Sequence, residues 1–249
     1  MSSTASSEWI EGPDNISFYT KRWTAAQSKA NVVFVHGLIE HVERYNDFFS
    51  SFAKRGISIF GFDQRGWGQT AQKTSTQGFT SLEYQLRDVE FFLAREQARS
   101  PYSKLFLLGH SMGGGIVLSY ACLPNSARPT LSRLSGLIAS APMIQQPPAV
   151  HPAKVLLLAG GMLGSVLPSL QKKIKMEGKD LSHDQAVGEA YVKDPLCPPI
   201  TTYKQLSDMF RAGDALLQKR YNDYPPRLPL LVFHGTEDKA SMTKSYSER

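Results

Sequence analysis

The fold class predicted by this chain is a mainly parallel α/β sheet flanked by helices, with one insertion between sheet strands. Three features of the sequence carry that reading. The first half alternates short apolar runs with helix-compatible segments, the pattern of βα units covered on both faces. One of those runs, Leu105 to Leu108, ends in Gly109-His110-Ser111-Met112-Gly113 and passes straight into a helical stretch. The rhythm stops after Pro142 and resumes only near Leu230.

The elements follow in order. Ile16 to Trp23 is expected to be an edge strand. Asn31 to Val35 is a short β-branched run that stops at His36-Gly37. From His41 to Arg55, Tyr45, Phe48, Phe49 and Phe52 recur at helical spacing. Ile57 to Phe62 is a strand ending at Asp63. Ser81 to Gln97 is an amphipathic helix with Leu82, Leu86, Val89, Phe92 and Leu93 on one face. Ser81 is its N-cap, with Glu83 and Asp88 toward the positive end of the dipole and Arg95 and Arg99 toward the negative end. Leu134 to Ser140 is another strand.

The segment after Pro142 holds three proline clusters: Pro147-Pro148, Pro195 with Pro198-Pro199, and Pro225-Pro226. The patches between them are apolar (Val155 to Leu167) or mixed helical (His183 to Val192, Thr201 to Arg220). The expected organisation is a core over 1–142, an insertion over 143–227 and a return to the core over 228–249.

Composition excludes several classes. The 249 residues are 41% hydrophobic and 20% charged, enough apolar material for one large domain. Cys122 and Cys197 form no metal pattern and no disulfide framework, so a reducing compartment is expected. The polar, serine-rich start lacks the apolar core of a signal peptide. The thirteen residues from Val155 to Leu167 fall short of the about 20 that cross a bilayer. Basic residues are scattered, so nucleic-acid binding is not expected, although a net charge of +6 suits an anionic lipid surface.

Chemistry concentrates where strands end. Between a strand and a helix, Gly-x-Ser-x-Gly has the context of a nucleophile elbow. Only small residues fit two positions either side of the serine, hence Gly109 and Gly113. The turn presents the Ser111 hydroxyl, and the Met112 N–H lies where an oxyanion would form. Gly37 lets the loop after the Asn31 to Val35 strand turn back, so the Leu38 N–H is a second donor. His36 and His41 read as loop-stabilising residues. In Gly61 to Thr70, Asp63 and Arg65 are expected to tie a structural turn. After the last strand, Asp238 is the expected acid that orients an imidazole, with Glu237 the alternative.

The chain resembles α/β-hydrolases of the monoacylglycerol lipase group, which belongs with the serine aminopeptidase-like hydrolases. The resemblance rests on HGLIEHVERY (36–45), FDQRGWGQT (62–70), GHSMGGG (109–115) and HGTED (234–238), in matching order over residues 16–240. The FDQRGWG form is most similar to fungal members. It implies the α/β-hydrolase fold, Ser111 as nucleophile, Asp238 as acid, the Leu38 and Met112 N–H groups as oxyanion hole, and the insertion as a cap over an acyl pocket. It implies hydrolysis of a monoglyceride to fatty acid and glycerol in the cytoplasm, with an apolar cap able to touch a membrane or lipid droplet. No metal and no organic cofactor is implied.

In one respect the sequence departs from that pattern. The family order is Ser, acid, His, yet His36, His41, His110, His151, His183 and His234 all precede Asp238. Eleven residues follow Asp238 and none is histidine. The chain is thus expected to end before the catalytic His, with the last strand and helix missing and Leu230 to His234 left as an exposed sheet edge. His151 and His183 are the histidines of the insertion that could stand in. Two other functions stay open: a truncated, inactive pseudoenzyme that binds lipid or partners, and another esterase or aminopeptidase-like serine hydrolase.

Overall fold

The computed structural model describes residues 4–145, 162–164, 166–174, 176–218 and 220–238. Nine strands are described, and seven form one sheet in the order β1-β2-β4-β3-β5-β6-β9. Their ranges are β1 Thr4–Glu11, β2 Ser17–Thr24, β3 Ala30–Val35, β4 Ile57–Phe62, β5 Leu105–His110, β6 Leu134–Ser140 and β9 Leu230–Phe233. β1 and β2 pair antiparallel with each other, and β2 pairs antiparallel with β4. Every pairing from β4 through β3, β5 and β6 to β9 is parallel. The predicted parallel α/β class is therefore the observed one.

Ile16 to Trp23 is not the edge strand expected from the sequence. β1 pairs along its whole length with β2 and takes the edge. Its residues are exposed except Ile10, so Thr4–Glu11 has no buried face to print an alternation on the sequence.

Helices cover both faces. On one face α1 (Asn46–Lys54) seats Phe49 against Trp23 and Phe34, at ring centroid separations of 5.0 and 4.8 Å. The other face carries α3 (Leu82–Arg99) and α4 (Met112–Ala121), with Val89, Phe92, Leu93, Ile116 and Val117 in one buried cluster. Ser81 caps α3 as expected, its side chain accepting from the Tyr84 N–H. α2 (Gly68–Thr74) begins within the Gly61 to Thr70 stretch expected to be a turn and runs beyond it, and the helical stretch expected over His41 to Arg55 is a 3-10 turn at Val42–Tyr45 followed by α1.

Between β6 and β9 the chain leaves the sheet. This excursion contains a two-stranded antiparallel ribbon, β7 (Gln171–Lys173) with β8 (Ile200–Thr202), and helices α5 (Gln185–Lys193) and α6 (Tyr203–Gln218). Because β6 and β9 are direct neighbours, the excursion returns to the strand next to the one it left. The Pro147-Pro148 pair, His151, most of the Val155 to Leu167 run and the tail after Asp238 lie outside the described residues. Among the described residues no helix is long and apolar enough to cross a membrane.

Candidate active site

Parallel register fixes where the loops meet. Val35 pairs with Gly109, and His110 pairs with Ser140. The turns after β3, β5 and β6 therefore emerge side by side at the carboxyl edge of the sheet. Ser111 sits between β5 and α4 with φ 53 and ψ −119, a conformation that costs a non-glycine residue on the order of 1–3 kcal/mol. Neighbouring backbone holds it there. The Ser111 N–H donates to Ser140 O at 2.9 Å, and Ser111 O accepts from Met143 N at 2.9 Å.

Glycines make the turn sterically possible. A Cβ on Gly113 would stand 2.2 Å from Val35 O, and one on Gly109 would stand 2.2 Å from Gly113 O. The loop after β3 closes onto the serine: a Cβ on Gly37 would be 3.1 Å from Ser111 Cβ. Leu38 follows immediately and packs, half-buried, on the cluster that contains Met112. Met112 opens α4, so its N–H is one of the first four amides without an intrahelical acceptor.

Glu40, to which the sequence reading gave no role, organises this loop. Its Oε2 accepts from the Gly37 N–H and from the Tyr45 hydroxyl, each at 2.8 Å. Burial alone would raise the Glu40 carboxyl, but His110, the Tyr45 hydroxyl, His36 and Arg44 outweigh it and hold the group below its ordinary value. The i, i+4 spacing of Glu40 and Arg44 is visible in the sequence, but it marks only their 3.7 Å pair and not the bonds to Gly37 and Tyr45.

A family model described as serine aminopeptidase, S33, matches residues 26–247. The chain belongs to the serine aminopeptidase S33 family. Among its relatives, a Schizosaccharomyces pombe protein provisionally named a monoglyceride lipase is 33% identical over 92% of this chain and 60% of its own length. The chain thus spans about three-fifths of that relative. The Saccharomyces cerevisiae monoglyceride lipase is 28% identical over 84% of this chain and 68% of its own. A crystal structure of a soluble variant of that yeast lipase, with a substrate analogue, superposes with TM-score 0.84 at 24% identity, covering 96% of this chain and 79% of the other. The fold is therefore that of the α/β-hydrolases.

The histidines of this S33 chain divide by role. His36 is fully buried; its Nδ1 faces Gly37 O at 2.8 Å and its Nε2 accepts from the Gln64 N–H at 2.9 Å. Burial pushes its pKa down to about 4, so the ring is neutral and structural. His41 Nε2 bonds Asp194 Oδ2 at 2.8 Å, tying the core to the excursion. His110 Nδ1 lies 3.2 Å from Ser140 Oγ. His183, the described histidine of the insertion, is 85% exposed and pairs with Glu237 at 3.1 Å.

The two candidate acids are both engaged. Asp238 Oδ2 lies 2.9 Å from His234 Nε2, one turn back on the same loop. β9 is two strands from β5, about 10 Å across the sheet, so the Asp238 loop and Ser111 flank the Ser140 turn. Asp63 ties its turn as expected, but not through Arg65. Its carboxylate accepts from the Val42 and Gln69 N–H groups, and burial still pushes it up to about 7. Arg65 reaches away to Asp88 and Asp14.

One group among the described residues has the composition of a metal site: His41, Asp194 and Cys197 offer atoms within 4.8 Å of one another. The imidazole and carboxylate already bond each other, and burial pushes the Cys197 thiol up to about 12, away from the thiolate that a metal requires. The chemistry of that trio is a core-to-excursion tie.

Proposed function

We propose that this chain is a serine ester hydrolase acting on monoacylglycerols. One observation carries the reading: Ser111 is held at φ 53 on a β5-to-α4 elbow with the Gly37-Leu38 loop packed against it. In this reading Ser111 Oγ attacks the ester carbonyl, and the Met112 and Leu38 N–H groups receive the developing oxyanion. Glycerol leaves, and water then releases the fatty acid from the acyl-serine. Support for the substrate comes from relatives named as monoglyceride lipases. Asp238 is the proposed acid that orients an imidazole.

The excursion, over 143–227, is proposed as a cap. Its described part exposes Met162, Leu163, Val166, Leu167 and Leu170, with Lys172 and Lys173 next in sequence. Apolar side chains beside lysines suit the surface of an anionic bilayer or lipid droplet.

A second reading has its own observation. Asp238 Oδ2 already bonds His234 Nε2 at 2.9 Å, an imidazole on its own loop and not one shown against Ser111. A serine without a base loses about 10⁶ in kcat in the subtilisin case. The fold would then bind lipid without turning it over. Monooleoylglycerol hydrolysis by this chain beside its Ser111→Ala variant separates the two. Oleate release that vanishes in Ser111→Ala is the expected result; equal rates would leave the binding reading. An aminoacyl amide in the same assay distinguishes ester from peptide chemistry.

A further inference from the structure

Beneath the elbow lies a chain of buried amides. Gln205, on α6, donates through Nε2 to Met112 Sδ at 3.0 Å and to Gln85 Oε1 at 3.4 Å. Gln85, on α3, donates to Gln64 Oε1 at 3.1 Å. Gln64 donates to the His36 carbonyl at 2.7 Å. All three glutamines and Met112 are at most 3% exposed. The direction of the relay is fixed by chemistry. A carbonyl only accepts, so Gln64 must present its NH₂ to His36 O; its own oxygen then accepts from Gln85, whose oxygen accepts from Gln205.

This arrangement is expensive for a region with no other visible need of it. Gln205 Oε1 finds no partner among the described residues. A buried acceptor left unmade costs about 1–3 kcal/mol, and an apolar side chain of the same length would avoid that penalty. The relay connects three things that sequence separates widely. One end is the residue whose N–H follows the nucleophile, Met112. The other is the peptide that leads into Gly37-Leu38. The middle is anchored to α6, the helix that leaves the excursion. Thr202 secures that anchor, accepting from the Gln205 N–H at 3.2 Å and donating to Gly78 O at 3.0 Å.

We propose that Gln205 is a positioning residue that sets the spacing of the two oxyanion-donor loops and couples that spacing to the seat of α6. The proposal rests on the serine hydrolase reading above. Hydrogen bonds in a buried chain polarise one another, so a change at Gln205 is felt at Gln85 and Gln64. Gln205 touches no reacting atom; it acts through Met112, Gln85 and Gln64.

The test is Gln205→Met, which keeps the length of the side chain, removes the donor and also removes the orphaned oxygen. The variant should fold with unfolding stability close to wild type, because the lost Gln205 Oε1 orphan offsets the Gln85 Oε1 acceptor that the change leaves unmade. Its Met112 and Leu38 backbone amide resonances should both move in a ¹H–¹⁵N spectrum of the full chain. In a Gln85→Leu background, with Gln85→Met in its place should the leucine variant not fold, the further Gln205→Met change should leave Leu38 unmoved. Toward p-nitrophenyl butyrate, kcat should fall about tenfold with KM within twofold, since the hole acts on the transition state alone. A folded Gln205→Met whose Leu38 amide is unchanged, or shifts that add independently of Gln85, would overturn the proposal. Failure of the hydrolase reading looks different: wild type and Ser111→Ala turn over the ester equally, while the amide shifts still report whether the coupling exists.

Discussion

At the scale of single residues, the site is built by strain and burial. Ser111 is held in a backbone conformation it would not choose, and Gly37, Gly109 and Gly113 leave no room for a Cβ beside it. His36 gives the sharpest pH signature. The unfolded chain binds a proton there below pH 6.5, whereas the folded chain does so only below about 4. Its contribution to stability is complete above pH 6.5, declines as pH falls, and is lost below about 4; the shift corresponds to about 3 kcal/mol. Asp63 acts in the opposite sense, because its folded pKa of about 7 lies above the unfolded 3.8, so its contribution is complete at low pH and lost toward 7. Comparing wild type with His36→Gln isolates the histidine. The difference in unfolding free energy between the two should shrink by about 3 kcal/mol from pH 7 to pH 4; a constant difference would contradict this account of the buried ring.

At the scale of elements, legibility followed the source of each element's stability. Ile57–Phe62 and Leu134–Ser140 were readable to the residue, because their apolar runs stop at turn-forming residues. The elbow was readable because its glycines answer a steric demand that no other residue meets. β1 was invisible because pairing with β2, not burial, holds Thr4–Glu11. The polar side of α3 also misled: Gln85, Asp88 and Glu96 are buried, their partners Gln64, Arg65 and Arg22 coming from distant parts of the chain. Glu40 went unread for the same reason, since its bonds to Gly37 and Tyr45 exist only once the loop is folded. One tie between elements is directly testable. Asp194 bonds His41 through one oxygen and the Leu196 N–H through the other. Asp194→Ala should lower stability by about 1–3 kcal/mol in urea unfolding and speed proteolysis within the excursion; an unchanged midpoint would remove the tie from the account.

At the scale of the whole molecule, two surfaces break the usual pattern of a covered sheet. β9 ends the sheet among the described residues, with Leu230, Leu231 and Phe233 each about half exposed. The excursion presents a second apolar surface at Met162 to Leu170, next to Lys172 and Lys173. If that surface meets lipid, binding should follow both apolar area and charge. Wild type should co-sediment with vesicles containing phosphatidylserine more than with neutral ones, and Val166→Asp with Leu167→Asp should reduce both. Equal sedimentation of wild type and variant would place the lipid contact elsewhere.

The claim on which the rest depends is that Ser111 is a nucleophile facing two backbone donors. Incubation with a long-chain alkyl fluorophosphonate, followed by intact mass and peptide mapping, tests it without requiring turnover. The account predicts a single adduct, on the peptide containing Ser111, that is absent from Ser111→Ala. An unmodified chain, or an adduct that persists in the variant, would contradict it.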